Sequence, residues 1–579
     1  MKTGQPVECK PETVAEAYLA LLASRDVDYL FGNSGTDFPP LVEALAKGQA
    51  LGWKMPEPII VPHENVGVAM AHGYYMVTGR PQAMMVHVGL GTANSINGIF
   101  NAARQNIPIL FTAGRTPLTE GGQLGSRNNY INWAQEQFDQ AGMLREFVKW
   151  DYELRDASQV ETVVDRALAI AKSEPCGPVY LTLPREVLAS GLGDKQISKR
   201  TTIAPMSPPA ADPDTLEEVA KLLGAAKNPL IITSNGGRTV ETSHALTRLA
   251  ETWAIPVIQY RPRYLALPTE HPMLCGFDPH AMLPEADLIL VIDSDVPWIP
   301  DTAKISPECK IVHIGVDPLF SRYPVRGFRT DIALAGSLAP TLDLLGERTE
   351  RYAGSATKIA ARRAAVSQQS ADYRLRMRMG AGAKQTSGKI SAKWMTHCIN
   401  AVSDENTIIV NEYPLVLEEL TINEPARYFS HPPSGGLGWG MGAALGAKLG
   451  RPDATVICAI GDGAYMFGNP TPTHFIGEAH GLPVLYVINN NARWGAVHRA
   501  TLGMYPNGHA STEEKPPFST LEPSPRFEEV VRASGGYGER VEDPAEMLPA
   551  LKRALHAVKN EKRQAVLNVC TETNYNRTS

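Results

Sequence analysis

A glycine-flanked acid and a run of three asparagines are the residues of this chain best suited to chemistry. Gly461-Asp462-Gly463 follows the apolar run 454–460, and Asn489-Asn490-Asn491 follows a second apolar run, 482–488. Runs of this length, separated by a segment long enough for a helix, predict neighbouring parallel strands. The carboxyl ends of such strands border one crevice, where carboxylate and amide oxygens can hold a hard divalent cation and glycines let a diphosphate approach the backbone.

The composition is that of a globular protein with several domains. The chain has 579 residues, too many for one core, of which 43% are hydrophobic and 20% charged. A formal charge of −6 gives no sign of a nucleic-acid or membrane partner. The seven cysteines are far apart in sequence, so neither a zinc site nor a disulfide framework is indicated. The N-terminus lacks an apolar leader, and we expect a cytoplasmic protein.

Strand-like and helix-like segments alternate along most of the sequence, which predicts parallel α/β domains. We place an N-terminal domain at 1–190, a middle domain at 205–345 and a C-terminal domain at 385–579. A polar, proline-rich stretch over 191–214 is typical of a linker, and a basic, alanine-rich stretch over 346–388 joins the second and third domains.

These motifs resemble those of thiamine-diphosphate-dependent enzymes of the acetolactate synthase and benzoylformate decarboxylase group. The resemblance covers nearly the whole chain and implies three doubly wound parallel-sheet domains, which bind the pyrimidine, act as a spacer and bind the diphosphate. It implies thiamine diphosphate and Mg²⁺ as cofactors, and a homodimer or homotetramer with active sites between subunits. The implied reaction is decarboxylation of a 2-oxo acid to an enamine, followed by protonation or carboligation.

The resemblance also implies a set of cofactor ligands in the third domain. The Mg²⁺ ligands would be the side chains of Asp462 and Asn491 and the backbone carbonyl of Arg493. Asn489 is the alternative to Asn491, because it keeps the family's usual distance from the aspartate. Asn491 fits better to the frame of residues 490–495, which resembles the family's Asn-Asn-x-x-x-Gly ending. The diphosphate would lie against Gly461, Gly463 and Ala464.

Two further segments match the family's contacts to the cofactor rings. Residues 59–64, Ile-Ile-Val-Pro-His-Glu, resemble the strand that leads to the acid bonded to the pyrimidine, which assigns Glu64. A glutamate in the first turn of a helix is also favoured by the helix dipole alone. In the segment 435–446, Leu437 takes the place of the apolar residue that keeps the cofactor bent, with the carbonyl of Gly435 on the pyrimidine. One departure is Pro414, which has no N–H to offer a diphosphate.

The substrate side is less determined. His87 falls where benzoylformate decarboxylase has a catalytic histidine, and it could move a proton or be a structural residue at a strand end. Thr36 falls near that enzyme's serine, and it could bind a substrate carboxylate or complete a turn. Arg115 replaces a glutamine common in the carboligases, and it could bind an acidic substrate or form an ion pair. His63 and His498 are weaker candidates.

Other functions remain open from sequence alone. A lyase or decarboxylase of acyl-CoA thioesters would need a basic C-terminal patch, and the candidates are Lys552, Arg553, Lys559, Lys562 and Arg563. A catalytically silent homologue that only binds the cofactor is disfavoured, since Glu64, Asp462 and Asn491 are all present. Acids at 293 and 295 follow a middle-domain strand where nucleotide-binding relatives have a glycine-rich turn, so we expect no nucleotide there.

Overall fold

The computed structural model describes residues 9–352, 354–379, 385 and 388–572. It contains three six-stranded sheets that follow one another along the chain, and the strands pair in parallel throughout. The fold class predicted from the sequence, α/β with three doubly wound parallel-sheet domains, is confirmed. The predicted domain limits at residues 1 and 579 lie outside the described residues.

The first sheet has the strand order β2-β1-β3-β4-β6-β5. Its strands are β1 (Tyr29–Asn33), β2 (Glu57–Ile60), β3 (Gln82–Val86), β4 (Ile109–Arg115), β5 (Asp151–Glu153) and β6 (Val179–Pro184). Its helices are α1 (Val14–Ser24), α2 (Pro39–Leu51), α3 (Glu64–Thr78), α4 (Val88–Asn94), α5 (Ile96–Arg104), α6 (Ile131–Ala134), α7 (Val160–Lys172) and α8 (Arg185–Ala189).

The second sheet has the strand order β12-β11-β10-β7-β8-β9. Its strands are β7 (Pro229–Thr233), β8 (Val257–Gln259), β9 (Leu274–Gly276), β10 (Leu288–Ile292), β11 (Lys310–Gly315) and β12 (Ile332–Ala335). Its helices are α9 (Pro213–Ala225), α10 (Val240–Trp253) and α11 (Leu338–Thr349), and the long helix α12 (Ala356–Arg378) leads to the third sheet.

The third sheet has the strand order β14-β13-β15-β16-β18-β17. Its strands are β13 (Thr407–Glu412), β14 (Tyr428–Ser430), β15 (Thr455–Gly461), β16 (Leu485–Asn490), β17 (Tyr537–Val541) and β18 (Ala565–Cys570). Its helices are α13 (Ala392–Val402), α14 (Trp439–Gly450), α15 (Asp462–Phe467), α16 (Pro470–Ala479), α17 (Gly495–Met504), α18 (Phe527–Arg532) and α19 (Met547–Lys559).

Both faces of the first sheet and of the third sheet are buried, which is why the central strands of these sheets are apolar throughout. In β4, Phe111 belongs to a core shared with the third sheet, whereas its neighbour Leu110 packs in a separate core with α1. In β16, Ile488 belongs to the shared core and Val487 to a third core on the opposite face. The first and third sheets therefore meet across one continuous apolar core.

Helices α3 and α14 cross that core side by side in the same direction. A methyl group added to Gly446 would overlap the carbonyl oxygen of Met70, and one added to Gly450 would lie 2.7 Å from Val77. One added to Gly442 would lie 2.7 Å from the carbonyl oxygen of Val66. The glycines let the two backbones approach closely. The parallel arrangement places the first turns of α3 and α14 at the same end of the core.

Among the described residues, no helix is both long enough and apolar enough to cross a membrane.

Candidate active site

Glu64 is the first residue of α3 and is 6% exposed. Its Oε2 accepts a hydrogen bond of 3.1 Å from Nδ2 of Asn94. Gly91 lies close to its other oxygen, because an added methyl group there would be 3.3 Å from Oε1. His63 precedes the helix, and its ring accepts the N–H of Asn65 at 3.3 Å. In this structure His63 therefore caps α3.

The loop that precedes α14 is held by the first domain. Asn101 of α5 forms a reciprocal pair with Gly436, donating to its carbonyl at 2.9 Å and accepting from its N–H at 3.1 Å. Nδ2 of Asn97 donates to the carbonyl of Leu437 at 3.3 Å. Gly435 adopts a left-handed conformation with φ of 67°. These contacts bring Gly435 and Leu437 to the end of the core at which α3 begins with Glu64.

Asp462 lies at the carboxyl end of β15 and is 4% exposed. Its Oδ1 accepts the N–H of Gly463 at 2.8 Å, whereas its buried Oδ2 has no hydrogen-bond partner among the described residues. Burial raises the pKa of Asp462 to about 6, and the amides of Ala492 and Arg493 act in the opposite direction. The acid and the loop that follows the asparagines are therefore neighbours.

The three asparagines differ in what they bind. Asn489 lies within β16 opposite Gly461, and its Oδ1 accepts the hydroxyl of Thr571. Asn490 donates to Ser524 at 2.7 Å and to Asn568 at 2.8 Å, and it accepts the N–H of Ala492 at 3.2 Å. Asn491 follows the strand, and its Oδ1 accepts the N–H of Arg493 at 2.9 Å. Asn491 thus lies in the loop whose amides face Asp462.

Trp494 covers the Gly-Asp-Gly turn, a role that the sequence does not reveal. A methyl group added to Gly463 would overlap the indole ring, which also packs edge-on against Phe467 at 6.0 Å. Ala464 is buried in the first turn of α15. Around Gly461, in contrast, a methyl group would meet nothing within 4 Å. Open space therefore adjoins the turn beside the unpartnered oxygen of Asp462.

His87, which follows β3, is half-buried and pairs with a buried acid, Asp37, that the sequence analysis did not identify. Its Nδ1 lies 2.6 Å from Oδ1 of Asp37, which is 2% exposed, and the other carboxylate oxygen accepts the N–H of Val88 at 3.2 Å. Because a carboxylate only accepts, Nδ1 of His87 carries the proton and Nε2 is left to face other groups. The bond to Asp37 raises the pKa of His87, and the charge of Glu64 adds a smaller effect of the same sign.

Gln135 and two glycines surround the pair of Asp37 and His87. Nε2 of Gln135 lies 3.3 Å from Nε2 of His87 and can donate to it. A methyl group added to Gly35 or Gly114 would overlap His87 or Asp37, respectively, so two backbone segments enclose the pair. Thr36 is exposed, and its carbonyl accepts a hydrogen bond of 2.9 Å from Arg185. Within this turn, the residue that bonds to His87 is the adjacent Asp37.

Arg115 and three of the five C-terminal basic candidates form ion pairs. Arg115 forms ion pairs of 2.9 Å with Glu136 and 3.3 Å with Glu153, which is the structural alternative considered for it. The C-terminal basic residues form surface pairs as follows: Arg553 with Glu539 and Glu546, Lys559 with Asp404, and Arg563 with Glu561. His498 is partly exposed on α17. These contacts give no support to an acyl-CoA patch.

In the middle domain, both acids that follow β10 are also paired. Asp293 binds Arg238 at 2.7 Å and Asp295 binds Arg263 at 3.0 Å. The expectation that this domain takes no nucleotide stays a prediction.

Three family models match the chain in succession. They are described as the N-terminal TPP binding domain of thiamine pyrophosphate enzymes, over residues 12–143, the central domain, over 216–345, and the C-terminal TPP binding domain, over 412–569. The chain belongs to the thiamine-diphosphate-dependent enzyme family. The resemblance inferred from the sequence motifs is thereby confirmed, and so is thiamine diphosphate as the cofactor of these domains.

Individual relatives span nearly the same length. The acetolactate synthase large subunit of Haemophilus influenzae is 24% identical over 94% of this chain and 92% of its own. The benzoylformate decarboxylase of Pseudomonas aeruginosa is 25% identical over 97% and 99%, respectively. The solved structure of a thiamine diphosphate-dependent 4-hydroxybenzoylformate decarboxylase from Rhodococcus jostii RHA1 superposes with a TM-score of 0.77 at 22% identity, covering 97% of this chain and 100% of that chain. The fold of that structure is therefore shared.

The residues present fit this cofactor. Asp462 presents one buried oxygen without a partner beside open space at Gly461, as a metal-bound diphosphate requires. Among the described residues there is no group of three or more His, Cys, Asp or Glu side chains able to hold a metal. A metal bound at Asp462 must accordingly draw on amide and carbonyl oxygens and on the diphosphate.

Proposed function

We propose that this chain catalyses cleavage and formation of carbon–carbon bonds at the keto carbon of a 2-oxo acid, releasing CO₂ and then protonating the remainder or joining it to a second carbonyl. The observation that carries the proposal is the pair of buried Asp37 with half-buried His87, which lies within electrostatic reach of Glu64. This proton-transfer group lies on the pyrimidine-binding domain of a thiamine-diphosphate enzyme. The relatives include one protein named as a decarboxylase and one named as a synthase, and these names agree with the proposed cleavage and formation of bonds.

Each residue has a part in that reaction. Thiamine diphosphate, when bound, would supply a nucleophilic carbon and a sink for the electrons released with CO₂. The Glu64 carboxyl holds a proton toward the pyrimidine, and Leu437 and the Gly435 carbonyl fix the shape of the cofactor. His87 gives or takes a proton at Nε2, on the substrate oxygen. Thr36 lies at the mouth of the same region, where its hydroxyl can meet a substrate carboxylate.

We further propose that Mg²⁺ joins the diphosphate to the third domain. Its protein ligands are the carboxylate of Asp462, the amide oxygen of Asn491 and the carbonyl of Arg493, and the glycines at 461 and 463, with Ala464, line the diphosphate. The choice of Asn491 over Asn489 is supported by its position, because Asn491 lies in the loop whose amides face Asp462, whereas Asn489 lies inside β16.

The active protein is proposed to be a homodimer or homotetramer with its sites between subunits. Each copy carries both Glu64 and Asp462, so two copies can supply the two halves of each site. An exposed apolar segment supports association: Leu124 is 80% exposed and Tyr130 84%, next to Gln135 at the site. The cytoplasmic location expected from the sequence stays a prediction.

The reaction is tested by supplying a panel of 2-oxo acids with thiamine diphosphate and Mg²⁺, and measuring CO₂ release with and without acceptor aldehydes. We expect CO₂ from at least one 2-oxo acid, and none from a Glu64→Gln variant that binds the cofactor. Wild-type protein that binds the cofactor and releases no CO₂ from any member of an aliphatic and aromatic panel would contradict the proposal.

The subunit arrangement is tested by mixing two inactive variants, Glu64→Gln and Asp462→Asn, after dissociation and reassociation. If the sites lie between subunits, a mixed pair contains one site with both native residues, and activity returns. If each site forms within one chain, every site retains one defect and the mixture stays inactive. Wild-type protein taken through the same procedure controls for losses during reassociation.

A further inference from the structure

Glu412, the last residue of β13, is tied to the first turn of α14. Its Oε1 accepts the N–H of Gly438 at 2.8 Å and its Oε2 accepts the N–H of Gly440 at 2.6 Å. Gly438 is the N-cap of α14 and has no side chain with which to cap it. A carboxylate from a distant strand therefore satisfies the amides that a helix leaves unpaired at its start.

Placing a carboxyl group at this point is costly. Glu412 is 1% exposed, and burial raises its pKa to about 7. No ion pair with Glu412 is found in the part of the chain that the structure describes. A buried carboxyl group without a counter-charge persists where its hydrogen bonds are needed, and such groups are concentrated at functional sites.

Tyr413, the next residue, contacts the other end of the same loop. It has φ of 86°, a left-handed conformation that a tyrosine adopts only under constraint. Its ring packs on that of His431 with centroids 4.0 Å apart, and its hydroxyl lies 3.4 Å from the position of a methyl group on Gly435. The end of β13 thus reaches both ends of the loop 435–438.

We propose that Glu412 and Tyr413 are positioning residues that fix the loop 435–438 from the third-domain side, opposite the asparagines of α5, and thereby set the place of Leu437. The inference rests on the proposed function, since it gives Leu437 a task only when thiamine diphosphate is bound. It separates two duties of the third domain: β13 shapes the region of the cofactor rings, while β15 and β16 hold the metal and diphosphate.

The test compares two ligands in the Glu412→Gln variant, thiamine diphosphate with Mg²⁺ and inorganic diphosphate with Mg²⁺. Glutamine keeps the shape but turns an NH₂ group toward a backbone N–H. We expect the affinity for thiamine diphosphate to fall about ten- to a hundredfold, the loss typical of a hydrogen bond to a charged group, with unchanged affinity for inorganic diphosphate. Calorimetry measures both affinities.

Two variants complete the test. Glu419→Gln alters another buried glutamate of the third domain, one that faces Lys393 and His397, and both affinities should stay at the wild-type values. Tyr413→Ala removes a side chain that is 48% exposed, so it serves even if Glu412→Gln fails to fold, and the same selective loss is expected.

The inference is overturned if Tyr413→Ala and Glu412→Gln bind thiamine diphosphate as the wild type does, or if they lose both ligands equally. Wild-type protein that binds no thiamine diphosphate would instead overturn the proposed function, and this inference with it.

Discussion

In an Asp37→Asn variant, the histidine of the proposed proton-transfer group loses its counter-charge while the volume of its neighbour is kept. The bond between Oδ1 of Asp37 and Nδ1 of His87 measures 2.6 Å, and solvent screens it little because Asp37 is 2% exposed. Because this bond is the main reason why the pKa of His87 is raised, that pKa should fall in the variant. An amide that donates to Nδ1 would also leave the proton on Nε2, which is the wrong tautomer.

The size of the effect follows from the kind of bond. A hydrogen bond to a charged group contributes about 1.5–3 kcal/mol, so kcat for CO₂ release should fall roughly ten- to a hundredfold. The cofactor affinity should not change, since Asp37 faces His87 rather than the third domain. Below its pKa, His87 of the wild type is an imidazolium paired with Asp37. As the pH rises, the imidazolium of the variant loses its proton at a lower pH than that of the wild type.

The assay is the pH profile of kcat together with a nuclear magnetic resonance titration of His87. Asp139→Asn is the matched control, because Asp139 lies in the same domain but is exposed and paired with Arg145. A variant in which Asp37→Asn leaves both the titration of His87 and the pH profile of kcat unchanged would refute the reasoning.

Three further outcomes are expected. Gly446→Ala should lower the melting temperature by forcing α3 and α14 apart, whereas Gly503→Ala, where a methyl group meets nothing within 4 Å, should not. His72 is buried, and burial lowers its pKa from 6.5 to about 3. Because His72 is protonated in the unfolded chain but not in the folded one, the free energy of unfolding should fall by about 2 kcal/mol as the pH falls from 8 to 5. A His72→Leu variant should lose this pH dependence in urea unfolding. Asn491→Ala should raise the Mg²⁺ concentration needed for cofactor binding, measured by calorimetry, more than Asn489→Ala does; equal effects would remove the preference for Asn491.

The central strands and long helices could be predicted because their sequences carry the signal. The apolar runs 454–460 and 482–488, predicted as neighbouring parallel strands, correspond to β15 (Thr455–Gly461) and β16 (Leu485–Asn490), which pair in parallel. The edge strands β5 and β14 could not be predicted, because neither has a continuous apolar run long enough to indicate a strand. Asp151–Glu153 is half-buried and charged at both ends, and Tyr428–Ser430 has only three residues.

The partners of site residues were harder to predict than the residues themselves. His87 could be singled out from its motif, but its carboxylate partner depends on β1 lying beside β3, which the sequence does not state. The turn after β1 contains Thr36, which the sequence analysis considered, and Asp37, which it did not, and only the fold shows that Asp37 turns inward. An acid in the turn beside a candidate catalytic histidine was the available signal. Glu412 could not be assigned in advance, because its bonds join β13 to amides 26 and 28 residues further along the chain.

A crystal structure of the chain grown with thiamine diphosphate and Mg²⁺ tests the central claim most directly. The account predicts the metal on Asp462 and Asn491 and the Glu64 carboxyl, from the same or a second copy, within hydrogen-bond distance of a pyrimidine nitrogen. A cofactor bound with its pyrimidine ring beyond that distance from every Glu64 carboxyl in the assembly would contradict it.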